Sequence, residues 1–320
     1  MSPTVTVELL LSAPVKGEEP PRDLPGLGRI VRSGPATDLP ALIAEAAREA
    51  LIAEAAREAL APPLPQVIGS DDPETRIQQM IASETVPFAT QPVQPMAVIV
   101  SGAVTPEAAF AALERALGEL RPAILPPPPA PASPHQKVVA EIGRPLPQGA
   151  LGYVIPAPMP GTRQGLVWRM LLYIFSHEYS GRLGRSAIGN KGLVYYIASE
   201  YRTDGRRGWV ALSAGVDSTK ADAMEAELKL QLARLATDDP PTAAEVEAAR
   251  RHLLGRDLSA AQSNEEIADR LARQFLETGG LRSHRELEAI LDTITPADVA
   301  AAVPAFVRGT ILRVDVGTPM

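Results

Sequence analysis

Seven of the thirteen residues from Pro122 to Pro134 are proline, four of them consecutive at Pro126–Pro129. Proline fixes φ and carries no backbone donor, so this run joins neither a helix interior nor a central strand. It reads as an extended, semi-rigid connector. The chain of 320 residues is therefore expected to fold as a first module over 1–121, a linker over 122–136 and a second module over 137–320.

The first module opens with Thr4-Val-Thr-Val-Glu-Leu-Leu-Leu-Ser12, whose alternation predicts a strand. No signal-peptide pattern leads it, so the chain is expected in the cytoplasm, or in the periplasm if a leader was removed. Residues Ala41–Glu49 read ALIAEAARE, and Ala50–Glu58 repeat them unchanged. That composition is helical. Nine residues turn a helix by about 900°, so the copies face opposite sides and no single apolar stripe results. Either the helix is gripped on both sides, or the repeat is a recent tandem duplication. A helix over Asp72–Ile81 and a strand over Met96–Val100 follow. Thr105-Pro106-Glu107 then supplies an N-cap, a first-turn proline and a first-turn acid for a helix to about Leu120.

In the second module the pattern gives strands at Lys137–Ile142 and Ala150–Ile155, and an apolar helix at Gly165–Phe175. Strands at Val194–Tyr201 and Gly208–Val216 form a hairpin through the turn Thr203–Arg206. Helices are expected at about Lys220–Ala236, Thr242–Leu254, Ser263–Glu277 and Ser283–Leu291. Two carry capping boxes, Thr242…Glu245 and Ser263…Glu266. Thr295-Pro296 opens a short helix, and Ile311–Val316 closes the module as a strand. Strands first, then helices, indicate α+β architecture: an antiparallel sheet with helices packed on one face.

Composition narrows the function. A net charge of −7, from 31 basic and 38 acidic residues, argues against a general nucleic-acid binder. The longest apolar run, around Leu166–Phe175, is broken by Arg169 and is too short to span a membrane. Without cysteine the chain has no disulfide, thiolate metal site or cysteine nucleophile. The four histidines, His135, His177, His252 and His284, show no metal-ligand spacing. His252 and His284 read as helix-surface residues. No nucleophile elbow, Walker loop or dinucleotide fingerprint occurs. Gly181 and Gly184, with Arg182 and Arg185, match no phosphate motif; glycines at these positions ease close packing.

The run Ser180-Gly-Arg-Leu-Gly-Arg-Ser-Ala-Ile-Gly-Asn-Lys-Gly-Leu-Val-Tyr195 resembles the segment S-x-R-L-…-R-x-x-x-G-L-x-Y of the pitrilysin/insulinase family of zinc metallopeptidases. Pro95–Gly102 with Thr105-Pro-Glu resembles the end of that family's first half-unit. Thr242–Leu258, Thr295–Val299 and Leu312–Gly317 resemble the end of its second. The resemblance implies two related α+β modules, the first of them shortened, and paired halves that enclose a chamber. Its zinc motif, H-x-x-E-H, is absent. Aligning Gly26–Ser33 with that motif puts Arg29, Arg32 and Ser33 in place of the ligands and the glutamate. No metal or cofactor is expected in this chain; zinc is expected in a partner subunit.

The family also carries an arginine and a tyrosine, seven residues apart, that reach the substrate at the zinc. Tyr195 takes the tyrosine position, and Ile188 stands where the arginine would be. Tyr195 is thus a candidate helper to a zinc site on another chain, donating a hydrogen bond to a developing oxyanion. The alternative is a Tyr195-Tyr196 strand pair with one ring in the core and one at the surface. The resemblance implies a protein that is not catalytic alone. It would complete the peptide-binding chamber of a zinc-bearing homologue, as a heterodimer or by self-association. The other reading is a structural scaffold that kept the peptidase fold without its role in proteolysis.

Overall fold

The computed structural model describes residues 3–11, 28–58, 70–85, 95–117, 137–203, 208–259 and 262–317. The proline linker, His135 and the turn residues 204–207 lie outside them. In chain order the elements are β1 (Thr4–Leu11), β2 (Gly28–Pro35), α1 (Leu39–Glu58), α2 (Pro73–Thr85), β3 (Pro95–Gly102) and α3 (Pro106–Leu117). Then come β4 (Lys137–Pro145), β5 (Gln148–Ala157), α4 (Arg163–Ser176), a single turn α5 (Arg182–Gly184) running into the π-helix Arg185–Asn190, and β6 (Ala198–Thr203). The remainder is β7 (Gly208–Asp217), α6 (Ala221–Ala236), α7 (Ala243–Ser259), α8 (Asn264–Thr278), α9 (His284–Asp292), α10 (Pro296–Phe306) and β8 (Thr310–Gly317).

The side chains of β1 from Val5 to Leu10 are all buried, as a central strand with both faces covered requires. It pairs antiparallel with β2 and β3 in a three-stranded sheet ordered β2-β1-β3. Val5 and Val7 pack against Leu39 and Ile43 of α1 and Ala112 of α3. On the other face Leu10 and Ile99 meet Ala268, Ala272 and Leu276 of α8. The first copy of the repeat in α1 does present one stripe, with Ile43, Ala46 and Ala47 buried. The side chains of the second copy lie outside the described residues.

The second sheet is ordered β4-β8-β5-β7-β6. Its pairs are antiparallel except β4 with β8, which runs parallel, so the sheet is mixed rather than purely antiparallel. Leu151, Tyr153, Ile155, Val210 and Leu212 face a core built with Trp168 and Leu171 of α4, Met224 and Leu228 of α6, and Phe306 of α10. The opposite face, with Val154, Trp209, Ala211 and Leu312, is covered by Ile77, Met80 and Ile81 of α2. Each such side chain contributes roughly 1.5–3 kcal/mol on full burial. That holds a helix of 13 residues that would be marginal alone.

The two compact units therefore exchange segments. One comprises Met1–Pro65, Phe88–Pro128 and Arg256–Arg282; the other Gln66–Pro87, Pro129–Gly255 and Ser283–Met320. Each sheet has a second apolar face that must be covered, and a helix from the other half of the sequence covers it. Among the described residues no single helix is long and apolar enough to cross a membrane.

Candidate functional site

The Tyr195 segment grows out of α4. Thr162 caps that helix, its hydroxyl accepting from the Gly165 amide at 3.0 Å. Ten of its fourteen residues are buried. The chain then doubles back tightly. A Cβ on Gly181 would lie 2.3 Å from the His177 nitrogen, and one on Gly184 would lie 2.3 Å from the Glu178 carbonyl oxygen. Both glycines admit close backbone packing, as their lack of a phosphate motif implied.

Arg182 is buried beneath this turn. Its Nε and Nη2 donate to the two carboxylate oxygens of Glu245 at 2.9 and 2.7 Å, and its remaining donors reach the carbonyls of Asp239 and Pro240. A buried guanidinium is tolerable only when paired in this way. Burial pushes the Glu245 carboxyl up, but the bonds from Arg182 and Thr242 outweigh it and hold the group at about 2.

The π-helix that follows is fastened from below by Glu227 of α6, whose side chain is 1% exposed. Glu227 accepts from Ser186 Oγ at 2.5 Å, from Gln231 Nε2 at 2.7 Å and from the Lys191 ammonium. Burial raises this carboxyl, and the three donors overcome that rise and lower it. Lys220 Nζ adds a bond to the Gly192 carbonyl at 2.9 Å. Beyond Gly192, Val194 and Ile197 are buried, and the Tyr196 hydroxyl donates to Glu74 of α2. Burial, with Glu74 beside it, pushes the Tyr196 phenol up to about 12.

Tyr195 stands between these anchors. It is 89% exposed, and its hydroxyl forms no hydrogen bond among the described residues. The expected strand from Val194 begins only at Ala198, because residues 194–197 are held by side-chain anchors rather than by ladder bonds. The Tyr195-Tyr196 strand pair is therefore not formed. Ile188 is half-buried and packs against the core, and Arg185 is exposed, 4.0 Å from Glu245.

Two histidines far apart in sequence meet in space. His177 ends α4 and His252 lies on α7, with ring centroids 5.2 Å apart and Tyr173 against both at 4.7 and 4.4 Å. His252 is thus half-buried against rings rather than free on a helix surface. The Ser180 amide donates to His177 Nδ1 at 3.3 Å. Among the described residues no three His, Asp or Glu side chains converge as a metal site.

Arg29, Arg32 and Ser33 lie on β2, where positions four apart are about 13 Å from one another. Their side chains are committed to protein partners. Arg29 pairs with Glu8 at 3.0 Å, Arg32 with Glu45 at 3.2 Å and with Glu49, and Ser33 with Thr6 at 2.8 Å. Guanidinium groups have no lone pair to give a metal. These residues do not fit zinc.

An α+β chain that keeps the S-x-R-L segment and the tyrosine but lacks the zinc motif is a non-catalytic relative of the pitrilysin-type peptidases. It belongs to the family described as the peptidase M16 inactive domain, which matches residues 94–253, half of the chain. Among solved structures it is similar to a chain of complex III2 from Candida albicans with Inz-5 bound, at 13% identity and a TM-score of 0.74, over 98% of this chain and 91% of that one. The peptidase M16 inactive domain from Pseudomonas fluorescens is 14% identical with a TM-score of 0.73, over 99% and 94%. A protease from Helicobacter pylori is 14% identical with a TM-score of 0.64, over 98% and 94%. No curated protein matches the chain in sequence.

Glu227, Glu74 and the His177–His252 pair were not found by sequence reasoning. Glu227 did leave a signal. It is a carboxylate one position before Leu228 in the buried set Met224, Leu228, Leu232 and Leu235 of α6, where a polar residue needs a partner.

Proposed function

We propose that this chain is the non-catalytic partner subunit of a zinc-bearing homologue, completing its peptide-binding chamber and presenting Tyr195 to the scissile carbonyl. The zinc and its activated water belong to the partner. The observation that carries this reading is the exposure of Tyr195, with an unspent hydroxyl, on a segment fastened on both sides. A phenol held in this way can donate to an oxyanion forming on another chain without first being ordered. Purified chain is expected to leave peptides uncut. Mixed with an H-x-x-E-H homologue from the same cell, it is expected to support hydrolysis that a chelator abolishes. Chelator-sensitive cleavage by the chain alone would overturn the proposal.

A scaffold role is the second reading. Ile188 favours it, because the arginine that accompanies the tyrosine in the family is missing and half of that pair is gone. The Candida albicans chain, a component of complex III2, is a relative in fold that works within an assembly. Recovery of the native chain in a complex lacking any H-x-x-E-H subunit would select this reading.

A further inference from the structure

A groove of about 480 Å³ in the second unit lies between the turn after α4, the π-helix and the C-terminal end of α6. That volume falls in the range of ligand sites, and π-helical segments recur at functional ones. Arg182 stands in its wall with its charge spent on Glu245 and on the Asp239 carboxylate, 3.4 Å away. Two further guanidiniums line the groove. Arg234 makes no ion pair with any described residue. The nearest carboxylate to Arg185 is Glu245, at 4.0 Å and already held by Arg182. Glu178, whose carboxylate has no partner among the described residues, lies on the same lining with the exposed ring of Tyr179.

Arg234 is the one guanidinium of this lining without a carboxylate partner among the described residues, and Arg185 has only a 4.0 Å share of Glu245; an anion would serve both, and Glu178 restricts which one. A bare anion such as phosphate would meet its repulsion uncompensated. An acidic peptide brings backbone N–H groups that Glu178 can accept, together with a carboxylate for the guanidiniums. We infer that this groove binds a carboxylate of an acidic peptide segment through Arg185 and Arg234, with Glu178 accepting from the peptide backbone and Tyr179 covering the side-chain stem. The inference does not depend on a zinc-bearing partner, because the groove is complete within this chain.

Fluorescence anisotropy with the whole chain tests it. One labelled probe is a glutamate-rich hexapeptide with an amidated end; the other is an uncharged hexapeptide with a free C-terminal carboxylate. Binding of the first assigns the groove to side-chain carboxylates, and binding of the second alone assigns it to chain ends. Arg185→Gln and Arg234→Gln should each raise Kd roughly tenfold, the loss of one charged hydrogen bond. Arg251→Gln, which removes an exposed cation on α7, should change Kd by no more than about twofold. All three lie at the surface, and unchanged thermal midpoints will show that folding is intact. The inference fails if neither probe binds, if a lysine-rich hexapeptide binds better, or if Arg251→Gln weakens binding as much as the groove variants.

Discussion

Glu8 and Glu227, the most deeply buried glutamate of each unit among the described residues, behave oppositely. Glu8 of β1 is 0% exposed and, among the described residues, receives donors from Arg29 alone, with Asp269 and Glu265 of α8 near the same guanidinium. Burial pushes its carboxyl up to about 7 against the pull of Arg29, and Asp269 adds to the rise. Glu227 is as deeply buried but has three donors, and its carboxyl is lowered. The number of donors, and the absence of rival acids, decides whether a buried carboxylate costs stability or clamps a segment.

The comparison can be broken at each end. Glu227→Ala leaves Ser186, Gln231 and Lys191 without their shared acceptor, and should cost the second unit about 3 kcal/mol. Amide exchange in residues 185–193 should accelerate more than elsewhere in that unit. If only global stability falls, Glu227 is a core residue and not a clamp. Glu8 should give an effect of opposite sense. Its folded value of about 7 lies above its ordinary 4.5, so the native state takes up a proton on folding between those values. The stability it confers is full below about pH 4.5 and is lost as pH rises through 7, by about 3 kcal/mol. Glu227, lowered, contributes above its ordinary value and loses that contribution only in acid. Glu8→Gln should therefore flatten the stability of β1 between pH 5 and 8, measured by amide exchange, and be no less stable than the parent at pH 8. A slope that survives the substitution would assign it to another group. Tyr196→Phe removes a single bond to Glu74 and should cost about 1 kcal/mol. Protection of α2 should fall with it, and a null result would leave the packing of Ile77, Met80 and Ile81 and the bonds of Gln78 to Ser213 and Arg202 to hold that helix.

Local signals in the sequence carried most of the element boundaries. The Ser263…Glu266 capping box forms at the start of α8, with the Glu266 amide 3.1 Å from Ser263 Oγ and the Ser263 amide 3.0 Å from Glu266 Oε2. What the sequence hid is which surface each helix covers. The apolar stripe of α2 fits any sheet of suitable curvature, and only the fold assigns it to strands that follow the linker. Residues 194–197 misled because Val-Tyr-Tyr-Ile has high β-propensity, while buried Val194 and Ile197 and the Tyr196–Glu74 bond override it. The candidate site was legible as a motif ending at Tyr195. Its support was not, since Glu74 precedes the motif by more than a hundred residues and Glu227 follows it from another helix.

The most direct test compares Tyr195→Phe with the parent chain in the pair reconstituted with a zinc-bearing homologue. The ring is kept and the exposed hydroxyl has no partner to lose among the described residues, so the thermal midpoint of the isolated chain and the affinity for the partner should not change. Without the family's arginine at position 188, the proposed oxyanion contact would be looser than a two-donor arrangement. Turnover should fall roughly tenfold, about 1.4 kcal/mol of transition-state stabilisation. Unchanged turnover in an active pair would contradict the account, remove Tyr195 from the chemistry and leave this chain as architecture.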